Sequence, residues 1–68
     1  MNKQETFKRI MANHVIAVDA LSKADMQPAK FADAIDHLTD NTMALVCECC
    51  GNKYLQSANN VIEKYLKI

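Results

Sequence analysis

The 68-residue chain contains one glycine and one proline. That scarcity argues against a sheet with many turns and for long uninterrupted helices. No segment approaches the roughly 18 apolar residues that a bilayer span requires, so no membrane insertion is expected. The start, MNKQETFKRI, is polar and is not followed by an unbroken apolar region with a small-residue cleavage site. A secretion signal is therefore not expected, and a cytoplasmic location is. There is no glycine-rich phosphate loop and no serine or cysteine nucleophile in a recognisable constellation, and the carboxylates stand singly. So short a helical chain also lacks room for a sizeable enclosed pocket. These absences predict a protein that is not an enzyme and needs no cofactor.

A clustered positive charge is missing too. Eight Lys and Arg balance eight Asp and Glu, for a formal net charge of zero. Residues 1–18 carry Lys3, Lys8 and Arg9 against Glu5. Residues 19–48 carry Asp19, Asp25, Asp33, Asp36, Asp40 and Glu48 against Lys23 and Lys30. The tail carries Lys53, Lys64 and Lys67 against Glu63. An acidic middle between mildly basic ends is not the footprint of a phosphate-tracking surface. It suits contact with another protein.

What is present is apolar periodicity, since half of the residues are hydrophobic. Phe7, Ile10, His14, Ala17, Leu21 and Ala24 recur at spacings of three and four, the seam of a helix over 4–24. Met11, Val15 and Val18 form a second stripe beside it, and Ala12 and Ile16 carry apolar character further round. A helix so apolar needs cover on more than one side, which places it at the centre of the fold or in an oligomer interface. SKADMQ reads as a connector, and Pro28 as the first residue of the next helix, where its missing N–H costs nothing. Phe31, Ala34 or Ile35, and Leu38 give that helix one apolar face. Thr39, Asp40 and Asn41 are good N-caps and poor helix interiors, so a break is expected there and the second helix spans 28–38. From Thr42 onward, Met43, Val46, Cys50, Tyr54, Ala58, Val61 and Tyr65 keep helical spacing through Gly51. This predicts one helix over 41–67, kinked at most near Gly51; the competing reading ends a helix at Cys50 with Gly51 just beyond it.

All three cysteines lie in CECCGNKY. The Cys47/Cys50 pair has the spacing of one zinc knuckle, but a closed site needs four ligands. Only Cys49, His14 and His37 remain to supply them, with no second knuckle. Redox chemistry would place the attacking thiol at a helix start after a strand, and no strand precedes Cys47. The thiols read best as small hydrophobes of a helix in a reducing cytosol, with Cys47 the most exposed. His14, in the middle of the first seam, reads as a partly buried imidazole hydrogen-bonded to a neighbouring helix or to a dimer mate. His37 reads as solvated, near a helix C-terminus. Tyr54 and Tyr65 read as core or interface-rim residues.

MQPAKFADAI resembles the start of the second helix of Cro/C1-type helix-turn-helix domains. LTDNTMALV is similar to their turn and early recognition helix, and NNVIEKYLKI to their last helix. The resemblance implies DNA binding, with Asn41 and Thr42 as the base-reading candidates.

The fold expected is all-α: a single three-helix domain over 1–68, forming a helical homodimer. The function expected is that of a small non-enzymatic cytosolic adaptor, inhibitor or regulator. It would act on a protein partner by helix-on-helix burial through Phe7, Ile10, Met11, His14, Val15, Val18 and Leu21. A divergent helix-turn-helix regulator that binds nucleic acid, and a small protein stabilised by zinc on Cys47 and Cys50, are the alternatives.

Overall fold

The computed structural model describes residues 2–65. They form an all-α domain of three helices, α1 (Lys3–Lys23), α2 (Pro28–Cys49) and α3 (Leu55–Lys64), with no strand among the described residues. Asn2 caps α1: its Oδ1 accepts the Glu5 backbone N–H at 2.8 Å, satisfying one of the free donors of the first turn. The helix stops at Lys23 because Ala24 is extended, and its N–H turns back onto the carbonyls of Ala20 and Leu21. Gln27 is also extended, as a residue before proline must be, and Pro28 opens α2 at its first turn. A connector this short makes the two long helices antiparallel. His14 therefore meets Thr42, and the Cys50 thiol reaches the Lys3 carbonyl.

Two expected helix boundaries are corrected. The break at Thr39-Asp40-Asn41 does not form: α2 runs through it for 22 residues, so the helices expected over 28–38 and 41–67 are divided differently. The three polar residues cost about 2 kcal/mol relative to alanine in a helix interior. Against that, Ile35, Thr42 and Val46 lie on one stripe and are buried against α1. Each fully buried Ile or Val returns roughly 1.5–3 kcal/mol, and the Thr42 hydroxyl is itself hydrogen-bonded. Packing outweighs propensity here.

The break falls instead at Gly51, where the chain was expected to continue. Gly51 has φ 98 and ψ 169, a conformation open essentially to glycine alone. The N–H groups of Cys50 and Gly51 both donate to the Val46 carbonyl, closing α2. A short 3-10 turn, Asn52–Tyr54, then launches α3 back along the hairpin. The part of the expected 41–67 helix beyond Tyr65 lies outside the described residues.

The main core forms where the three helices meet, from Met11, Val46, Cys50, Ala58 and Ile62, with Phe7, Ile10, Met43, Tyr54, Leu55 and Val61 against it. The Phe7 and Tyr54 rings pack with centroids 5.0 Å apart. Val18 and Ile35 are buried further along, towards the α1–α2 connector. At 1.5 Å per residue α1 is about 31 Å long and α3 about 15 Å, so α3 covers only half of one side of the hairpin. The molecule is accordingly elongated, 38 × 17 × 16 Å. Among the described residues no helix is long and apolar enough to cross a membrane.

Candidate interaction face

The side of the hairpin opposite α3 has no helix over it. There α1 and α2 enclose an open groove of about 270 Å³, walled by Ile10, Asn13 and Ala17 from α1 and by Leu38, Asn41 and Leu45 from α2. Spacings of three, four and seven keep each wall on one helix face. Leu45 is 49% exposed although it is a large apolar side chain. No Lys, Arg, Asp or Glu lines the groove.

His14 and Thr42 form the groove floor, 3% and 4% exposed. His14 Nδ1 lies 2.7 Å from Thr42 Oγ1, a hydrogen bond whose donor is set by the imidazole tautomer. Burial lowers the His14 pKa below its ordinary 6.5, because an imidazolium there would be stripped of water. His14 is thus a neutral bridge between the two long helices. Every buried side-chain nitrogen and oxygen among the described residues has a hydrogen-bond partner.

The seven residues expected on one contact surface separate. Met11, His14 and Val18 are buried inside this chain's own core, and Phe7 is half-buried against Tyr54. Ile10 is half-buried and reaches the groove, and Leu21 is half-buried near the connector. Val15 lies on the other side of α1, in a shallow depression of about 310 Å³ shared with Ile16, Val18, Asp19 and Tyr65. Ile16 is 66% exposed there. Leu38 and Leu45 were not expected to share a face, because a break between them would have put them on separate helices.

Asn41, a base-reading candidate by resemblance, is exposed at the groove rim, whereas Thr42 is buried beneath it. The turn between helices that the resemblance implies is replaced by continuous α2. Of the metal candidates, Cys47 is exposed and its thiol donates to Asn52 Oδ1 at 3.2 Å, while Cys50 is buried and its thiol donates to the Lys3 carbonyl at 3.7 Å. His14 is committed to Thr42, and His37 stands 3.7 Å from Asp33 on the exposed side of α2. No three His, Cys, Asp or Glu side chains come together among the described residues, so the pair has no third ligand at hand. No protein-family model matches the chain, and neither a curated protein nor a solved structure shows significant similarity to it.

Proposed function

We propose that the protein is a small, non-enzymatic cytoplasmic adaptor, inhibitor or regulator that works through protein–protein contacts as a homodimer. One observation carries the reading: an uncharged apolar groove runs between the two long helices on the side that α3 leaves open. A net charge of zero imposes no overall repulsion between two copies.

The contact residues are revised by the burial pattern. Met11, His14 and Val18 support the interface from beneath, while Ile10, Ala17, Leu38 and Leu45 meet the partner. Sedimentation velocity over a wide concentration range tests the reading. The expected result is a dimer mass for the parent chain and a monomer mass for Leu45→Glu. A parent chain that stays monomeric at high concentration overturns the homodimer.

A further inference from the structure

We infer that the second copy docks on the groove with its two-fold axis parallel to the hairpin, so that α1 of each copy lies over α2 of the other and Arg9 faces Glu48 across the interface. This rests on the homodimer reading above and adds its geometry. The His14–Thr42 hydrogen bond fixes one common level on the two antiparallel helices. From that level towards the α1 N-terminus, Ile10 and Leu45 stand about 6 and 4.5 Å away at 1.5 Å per residue. Arg9 and Glu48, further along in the same direction, stand about 7.5 and 9 Å away. On the other side of the level, Ala17 and Leu38 stand about 4.5 and 6 Å away. Asn13 and Asn41 straddle it, about 3 Å apart.

A two-fold axis along the hairpin preserves level, so each residue of α1 meets its own-level counterpart on α2 of the second copy. Ile10 then packs near Leu45, Ala17 near Leu38, and the two asparagines pair. Arg9 lies one helical turn from Asn13, and Glu48 two turns from Asn41, each on the outer flank of its groove wall rather than in the groove. Both are exposed, and neither makes an ion pair within the chain among the described residues. The axis brings them together twice. At the other end His37, one turn before Asn41, comes to the level of Asp19 and meets no like charge. Every helix in the resulting four-helix layer has antiparallel neighbours, the usual arrangement of such bundles. The alternative axis, across the hairpin, reverses levels. It sets Arg9 at the level of Asp19, which lies on the other side of α1 and pairs with Lys23, and Glu48 at the level of Asp36, so the reciprocal Arg9–Glu48 pair is lost.

The test is a charge swap in the full chain, read by sedimentation velocity, with circular dichroism confirming helicity. Arg9→Glu and Glu48→Arg are each expected to raise the dimer dissociation constant ~10-fold, since two symmetry-related pairs change from attraction to repulsion. The double variant is expected to restore parent-like association. Should a reversal disturb folding, Arg9→Gln and Glu48→Gln remove the attraction alone and are expected to weaken association by a smaller factor. A parent dimer that is indifferent to these changes, or a double variant weaker than either single one, overturns this arrangement and leaves the homodimer standing. A monomeric parent chain overturns both.

Discussion

Acidification is the sharpest probe of the structure, because it acts on one buried group. His14 is enclosed between α1 and α2, and burial holds its pKa below 6.5. In the unfolded chain the imidazole takes up its proton as the pH falls through about 6.5. The folded chain resists that uptake, so below this point the unfolded state binds more protons. Stability is therefore at its full value above about pH 6.5 and declines as the pH drops, until the folded state is protonated as well. One proton sets a ceiling of about 1.4 kcal/mol between neutral pH and roughly pH 5.5. For a domain of this size that ceiling corresponds to a melting temperature lower by roughly 6–11 °C. The assay is thermal or urea unfolding of the parent and of His14→Leu across this range, at one fixed protein concentration so that association contributes equally. The parent curve should fall away from the variant curve below about pH 6.5. Parallel curves, or a parent chain that gains stability on acidification, would refute the buried neutral imidazole.

Other perturbations test neighbouring links. Thr42→Val keeps the volume but leaves His14 without its partner and should cost about 1–3 kcal/mol in urea unfolding, an effect that a double-mutant cycle with His14→Leu should show to be shared. Gly51→Ala meets no atom within 4 Å of the new Cβ, so its expected loss of about 1–3 kcal/mol isolates the backbone strain at φ 98; an unchanged melt would show that the turn tolerates another conformation. Val46, fully buried where all three helices meet, should lose about 2 kcal/mol or more on truncation to alanine, whereas Ile16→Ser at an exposed site should stay within about 0.5 kcal/mol. A chelator should leave the melting temperature unchanged, because Cys47 and Cys50 have no third ligand nearby among the described residues.

The first helix was legible because its evidence is redundant. Its seam, its polar start and Pro28 beyond the connector agree, and its boundaries fall within a residue of those expected. Of the two partners expected for His14, the neighbouring helix is the one found, and the imidazole is buried more fully than expected. The two breaks were exchanged for opposite reasons. Thr39-Asp40-Asn41 looks like a helix start only while its surroundings are unknown. Once α1 lies alongside, Thr42 points inward to His14, and Asp40 and Asn41 remain exposed at little cost. Gly51 looked tolerable inside a helix because the apolar spacing continues across it. Spacing records which residues face the core, and α3 faces the same core after the reversal, so periodicity could not register a change of direction. Only the positive φ distinguishes the two paths, and glycine permits both.

The exchange of breaks decides where the exposed apolar surface lies. Leu38 and Leu45 are seven residues apart, two turns, and share a face only if the segment between them is helical. That segment contains three residues poorly suited to a helix interior, and it is held inward by Thr42, hydrogen-bonded to His14, and by Met43, packed against the core. The groove on one side of the hairpin therefore rests on contacts formed beneath it. A reversal at 39–41 would have scattered the wall residues of α2 over two elements. Placed at Gly51, it leaves α2 long enough to present one unbroken wall, and α3 packs back along the other side of the hairpin. The open face thus follows from where the single glycine stands, and it is the face on which the proposed second copy of the chain would dock.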